Sequence, residues 1–140
     1  MKTYTLIAVT IVTLALLCYT VGTAAQLRSR KVTGAVVGFL VIGVVLDVVA
    51  TVFMILGSGK LLSLHGLLGY SALAGMVAEA VIAWRWRARH GETPITDGMS
   101  LYSRLAYSYW VIAFISGGMM VAMARRAARA AAGLGVLLLA

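Results

Sequence analysis

The chain has few charged residues and almost no cysteine or proline. Of its 140 residues, 11% are charged, one is cysteine and one is proline. Soluble globular domains are about a quarter charged, so this composition excludes an ordinary soluble fold. The single cysteine, Cys18, excludes an intrachain disulfide, a CxxC redox pair and a thiolate metal cluster. The chain also lacks an HExxH motif, a phosphate-binding loop and a nucleophile paired with a base, so we expect no enzyme activity.

Apolar residues are abundant, at 62% of the chain, and they lie in four long runs. A helix needs about 20 apolar residues to cross a bilayer core of ~30 Å. The runs do not alternate as barrel strands do, and helices satisfy their own backbone in lipid. The sequence therefore predicts an all-α integral membrane protein, a single membrane domain with four transmembrane helices in an antiparallel bundle. The predicted helices cover about residues 3–26, 32–57, 61–84 and 105–124, and residues 125–140 form a basic and apolar tail.

Both ends of the chain leave alternatives open. Lys2 precedes an apolar stretch that ends at Thr23, Ala24 and Ala25, so the first run could be a cleaved signal peptide, although it is longer than usual. Residues 130–140 are apolar but too few to span a bilayer. They are expected either to extend the fourth helix or to lie at the membrane interface.

Basic residues give the chain a net charge of +8, and they flank the apolar runs. Anionic lipid headgroups are therefore the expected partners, and we expect no nucleic-acid binding. Loops rich in Lys and Arg stay in the cytoplasm, which predicts that the first connector and the third, residues 85–104, are cytoplasmic. The residues expected to contact headgroups and set topology are Arg28, Arg30, Lys31, Arg85, Arg87 and Arg89. The aromatic residues expected at the membrane interfaces are Trp84, Trp86, Trp110, Tyr102, Tyr107 and Tyr109.

Three ionisable side chains fall within the apolar runs, namely Asp47, His65 and Glu79. A charge at the bilayer centre costs ~3 kcal/mol or more, so each is a candidate functional residue. At 1.5 Å per residue, His65 and Glu79 are roughly 21 Å apart and cannot share a site. Asp47 is the expected neighbour of His65, with an offset of roughly 9 Å that a water, Tyr70 or Ser71 would bridge.

Each of these residues also has a purely structural interpretation. Asp47 could be a neutral, protonated carboxyl that hydrogen-bonds a neighbouring helix. His65 could bond the backbone or headgroups near the interface. Glu79 could form an anchoring ion pair with Arg85 or Arg87 at the membrane boundary.

Small residues recur at helical spacing on the second and third helices. Because small residues let membrane helices approach closely, we expect the stripe of Gly43 and Asp47 and the stripe of Gly69 and Ala72 to face each other or the bundle interior. The GxxxG pair that begins at Gly34 is a weak motif, more often ordinary packing than a dimer face. The predicted helix-packing residues are Gly34, Gly38, Gly43, Gly66, Gly69 and Ala72.

Several motifs are shared with a known family. They are Cys18-Tyr19-Thr20-Val21-Gly22, Gly43-xxx-Asp47-xxx-Thr51-xx-Met54 and Leu64-His65-Gly66-xx-Gly69. In their order and spacing the chain resembles the HsmA family, small four-helix membrane proteins of bacteria and archaea without an assigned biochemical function. The resemblance covers about residues 5–122 and implies a multi-pass protein of the prokaryotic cytoplasmic membrane.

The family often carries a second histidine where this chain has Glu79. Two histidines at that spacing would resemble the stacked haem ligands of b-type cytochromes. This chain lacks the second one, so a two-haem relay is excluded by ligand count. A single haem on His65 stays an alternative; otherwise we expect no cofactor and no metal.

The leading functional interpretation is a non-catalytic protein that lies in the lipid bilayer as an accessory subunit or structural partner of a membrane complex. Its partners would be other membrane protein subunits or further copies of itself. One alternative is a membrane redox protein, linked to haem or quinone, that uses His65. Another is a small transporter or channel, which four short helices could form only as an oligomer.

Overall fold

The computed structural model describes the backbone of residues 2–59 and 64–138 and the side chains of residues 3–59 and 65–131. Its helices are α1 Lys2–Ser29, α2 Gly34–Ser58, α3 Leu64–His90 and α4 Asp97–Leu138. The described residues form no β-strand, only an isolated bridge between Lys31 and Pro94. By length and composition, all four helices can cross a membrane. The predicted fold class, an all-α integral membrane protein with four transmembrane helices, is confirmed.

Neighbouring helices run in opposite directions. Between α1 and α4, Gln26 bonds Ser103, whereas Thr20, earlier in α1, bonds Tyr107, later in α4. The order of these pairs makes the two helices antiparallel. The same order relates α3 to α4, through the pairs Gly75 with Tyr102, Ser71 with Tyr109, and His65 with Ser116.

The first and third connectors lie at the same end of the bundle, as the order of four antiparallel spans predicts. The Ile95 N–H donates to the Arg30 carbonyl at 2.7 Å, and the Arg30 side chain pairs with Asp97. The connector between α2 and α3 lies partly outside the described residues. α2 itself ends at Gly59, whose positive φ of 64° allows its N–H to bond the Ile55 carbonyl.

The third connector is shorter than the predicted loop of residues 85–104. It covers only residues 91–96, and Arg85, Arg87 and Arg89 lie in the last turns of α3. Arginine is a good helix former, so the polar composition of this stretch does not end the helix. The helix stops at Gly91, which adopts a φ of 65°. α4 then begins after Thr96, whose hydroxyl accepts a hydrogen bond from the Met99 N–H.

The predicted tail extends α4 as far as Leu138, which is one of the two placements expected for it. Residues 139–140 lie outside the described residues. At 1.5 Å per residue, the 42 residues of α4 rise about 63 Å, twice the ~30 Å thickness of a bilayer core.

The closest helix packing lies between α1 and α2. A Cβ atom added to Gly43 would lie 2.6 Å from the ring of Tyr19, so the Gly43 stripe faces α1. The stripe thus faces the bundle interior, one of its two expected placements. The narrower expectation that it contacts the α3 stripe is wrong, because the large Tyr19 ring fills the space that Gly43 leaves. α2 and α3 are neighbours as predicted, and Ala72 is buried, but a Cβ at Gly69 would meet nothing within 4 Å.

Among the described residues, only one member of the GxxxG pair lies close to another helix. A Cβ at Gly34 would lie 3.4 Å from the Arg87 guanidinium, and a Cβ at Gly38 would meet nothing within 4 Å. The lipid-facing side of the bundle is apolar, with side chains such as Leu6, Leu17 and Leu67 more than half exposed. Such a surface suits contact with acyl chains.

Candidate functional site

Asp47 lies in the middle of the bundle, where α1, α2 and α4 meet. Its Oδ2 accepts one hydrogen bond from Trp110 Nε1 at 2.6 Å and a longer one from the Tyr19 hydroxyl at 3.4 Å. The Tyr19 and Trp110 rings meet edge to face, with centroids 5.0 Å apart. Gly43, one turn before Asp47 on α2, makes room for the Tyr19 ring. A single carboxyl oxygen thereby joins three helices.

The partners of Asp47 include residues that the sequence did not single out. Trp110 was expected at a membrane interface, but its side chain is 4% exposed and reaches the bundle centre. Tyr19 was noted only as part of a motif, and it is fully buried. Tyr19 lies in the second half of a long charge-free run, and this position in the sequence could have indicated that it is buried. Its direction depends on the rotation of α1, which the sequence does not specify.

Glu79 is buried more completely than Asp47, at 1% exposed. The anchoring ion pair expected for it is wrong. Arg87 bonds the Glu92 carboxylate at 2.8 Å and the Val32 carbonyl at 3.3 Å, at the connector end of the bundle. Arg85 is exposed. Because α3 stays helical, Arg87 lies eight residues beyond Glu79, roughly 12 Å along the axis, where it meets the connectors.

Ser103 of α4 accompanies Glu79 and is bonded by Gln26 of α1, and Thr23 is a further buried polar residue of α1. We call Thr23, Gln26, Glu79 and Ser103 the Glu79 cluster. Gln26 Nε2 donates to Ser103 Oγ at 2.6 Å, and Ser103 lies beside the Glu79 carboxyl. Thr23 is one turn before Gln26 on α1. Four buried oxygens of the cluster have no hydrogen bond of acceptable geometry in the structure: Thr23 Oγ1, Gln26 Oε1 and both carboxyl oxygens of Glu79. The sequence did not indicate this cluster, because its uncharged members resemble ordinary polar residues near the end of a span.

His65 packs against α4 at the other end of the bundle. Its Nδ1 lies 3.4 Å from Ser116 Oγ, and a Cβ added to Gly117 would lie 2.6 Å from its Nε2. Asp47 and His65 have different partners: the Asp47 carboxyl is engaged by α1 and α4, whereas His65 contacts Ser116. The expected bridge between them through a water, Tyr70 or Ser71 stays a prediction. The chain thus separates its three intramembrane ionisable residues into three sites.

The surroundings of His65 do not fit a haem. An axial histidine must present one ring nitrogen to a space that holds the macrocycle. Here Nδ1 faces Ser116, and Nε2 lies against the backbone of α4 at Gly117. Neither nitrogen faces such a space.

The described residues form open grooves. One of about 170 Å³ lies between α2 and α3, and its walls are apolar side chains on the lipid-facing surface. Another, of about 350 Å³, lies along the end of α3 and is lined by Ile82, Arg85, Trp86, Arg89 and His90. Within the same residues, no group of three or more His, Cys, Asp and Glu side chains is placed to hold a metal ion. No family model, curated protein or solved structure matches the chain. Membership of the HsmA family therefore stays a prediction from the motifs.

Proposed function

We propose that the protein is a non-catalytic subunit of a membrane complex and that it binds a partner membrane protein through the projecting segment of α4, residues 118–138. The observation that carries this proposal is the exposure of that segment. Its described side chains, residues 118–131, are all exposed except Val121, which is half-buried.

The length of α4 supports a position of this segment outside the bundle. From Asp97 to Gly117, where α4 meets His65, the helix rises roughly 30 Å, which already matches a bilayer core. The following residues to Leu138 add roughly another 30 Å. Because α4 is helical throughout, this part leaves the bundle in the direction of the helix and not along the membrane surface.

The composition of the projecting segment suits a protein surface. Three methionines are more than half exposed, and methionine adapts its shape to irregular partner surfaces. Three arginines follow them within one further turn or two, which favours a partner with acidic groups beyond the membrane. The residues concerned are Met119, Met120, Met123, Arg125, Arg126 and Arg129.

We further propose that the bundle lies in the cytoplasmic membrane of a prokaryote with the first and third connectors inside. Seven Lys and Arg residues belong to the end of the bundle that holds these connectors, against five elsewhere, which favours this orientation. The projecting segment would then lie on the outer side.

Site-specific photo-crosslinking in native membranes tests the partner. A photoreactive residue in place of Met123 should give a discrete adduct with another membrane protein. The matched control replaces Leu14, a half-exposed residue of α1, and should label lipid only. Replacing the three arginines by glutamine should weaken the Met123 adduct. Labelling of lipid alone, or of a second copy of this chain, from Met123 would overturn the proposal.

A further inference from the structure

The Glu79 cluster contains more unpaired acceptors than a buried site normally tolerates. Buried polar atoms in native proteins are nearly always hydrogen-bonded, and a buried charge requires a partner. Here four oxygens from α1 and α3 lack one. An ionised carboxylate can only accept, so its two oxygens require donors or a cation.

Among the described residues, no basic side chain supplies that partner. The ion pairs among the described residues are Arg30 with Asp97 and Arg87 with Glu92, both at the connector end. The side-chain amide of Gln26 donates its hydrogen bond to Ser103 and not to Glu79. When Glu79 is ionised, its negative charge is therefore not compensated by any described basic side chain.

We propose that the Glu79 cluster binds a small monovalent cation, for which sodium ion is the probe. Carboxylate, amide carbonyl and hydroxyl oxygens are the ligands that hard cations prefer. One carboxylate balances one positive charge, so the occupied site is neutral and suits the membrane interior. A divalent ion would leave an unbalanced charge there. A proton on Glu79 would also neutralise the carboxyl, but the midpoint of thermal unfolding would then not depend on the sodium concentration at constant pH.

The position of the cluster gives the cation a short route from one side of the membrane. Gln26 lies three residues before the end of α1, and Ser103 lies six residues after the start of α4. These separations correspond to roughly 5 and 9 Å along the helices. The site is thus closer to the connector end than to the bundle centre.

Thermal unfolding of the full-length protein in detergent tests the site, because a ligand that binds only the folded state raises the unfolding midpoint with its concentration. Sodium chloride is exchanged for choline chloride at constant ionic strength and pH. We expect the midpoint to rise by a few degrees between about 1 and 100 mM sodium, about as much in lithium, and less in potassium.

Two variants and a direct binding measurement test whether the sodium dependence arises from the Glu79 cluster. Glu79→Gln should remove the sodium dependence, whereas Asp47→Asn, at a carboxyl that already has partners, should keep it. Binding of radioactive sodium to the wild-type protein should be displaced by unlabelled sodium and not by choline. Equal midpoints in sodium and choline, no displaceable binding, or a sodium dependence that survives in Glu79→Gln would each overturn the proposal.

Discussion

At the scale of single residues, Asp47 and Glu79 are both buried carboxyls, but their surroundings differ. Asp47 has two donors from neighbouring helices. Glu79 has only the nearby Ser103 hydroxyl, without a bond of acceptable geometry. The sequence identified both as intramembrane acids from their position in apolar runs. It could not distinguish them, because the donors come from other helices, at positions set by helix rotation and register.

Substitution of Asp47 should separate hydrogen bonding from charge. Asp47→Asn keeps an oxygen acceptor for Trp110 Nε1, so the variant should unfold close to wild type. Asp47→Leu leaves the Trp110 N–H buried without a partner and should lower the free energy of unfolding by about 1 kcal/mol, the scale of a membrane interhelical hydrogen bond. Titration with a denaturing detergent measures both. Equal stability of the leucine variant and wild type would show that these bonds contribute nothing.

Gly117 and Gly118 offer a matched pair for the His65 contact. A Cβ at Gly117 would lie 2.6 Å from His65 Nε2, whereas a Cβ at Gly118 meets nothing within 4 Å. Gly117→Ala should therefore displace the imidazole and destabilise the protein by about 1–3 kcal/mol, the usual cost of overpacking. Gly118→Ala should be neutral or slightly stabilising, since alanine favours helix. The histidine ring resonances in NMR spectra should shift in the first variant only; a shift in both would contradict the assigned contact.

At the scale of helices, the α1–α2 contact depends on the fit of an aromatic ring over a glycine. The sequence pattern showed that α2 carries a small-residue stripe, but not which helix the stripe faces. A short connector places α2 beside α3, and it equally places α2 beside α1. The large Tyr19 side chain determines that the stripe faces α1, because its ring occupies the space that Gly43 leaves.

Two glycines of α2 test this packing on one helix. Gly43→Ala should lower the free energy of unfolding by about 1–3 kcal/mol, because the added methyl group overlaps the buried Tyr19 ring. Gly38→Ala, at a position with no neighbour within 4 Å, should raise it by about 0.5–1 kcal/mol through helix propensity. Stability measured in the same detergent mixture compares the two. A Gly43→Ala variant as stable as Gly38→Ala would place the close contact elsewhere.

At the scale of the whole molecule, the number and type of helices followed from the sequence because lipid permits few alternatives to apolar helices. Helix ends did not follow, since Arg85, Arg87 and Arg89 continue α3 beyond the apolar run instead of forming a loop. Hydropathy measures where lipid contact ends, whereas helix propensity decides where the helix ends. Helix propensity also explains the length of α4, because its alanines and arginines favour helix beyond the lipid-facing part.

The orientation of the bundle in the membrane is predicted from the distribution of charged residues alone. Cysteine labelling in intact cells tests it. Cys18 is first replaced by alanine to provide a background without thiols. Thr93, exposed in the third connector, and Ser58, exposed at the end of α2, are then changed to cysteine one at a time. Ser103, near the same connector, is unsuitable for this purpose because its side chain is buried.

The basic residues at the connector end predict that Thr93→Cys faces the cytoplasm. A membrane-impermeant thiol reagent should therefore label Ser58→Cys in intact cells and Thr93→Cys only after the cells are opened. Each variant is labelled again after solubilisation, so that a thiol hidden by folding is not mistaken for one on the far side. Labelling of Thr93→Cys in intact cells, with Ser58→Cys protected, would reverse the orientation and place the projecting segment of α4 in the cytoplasm.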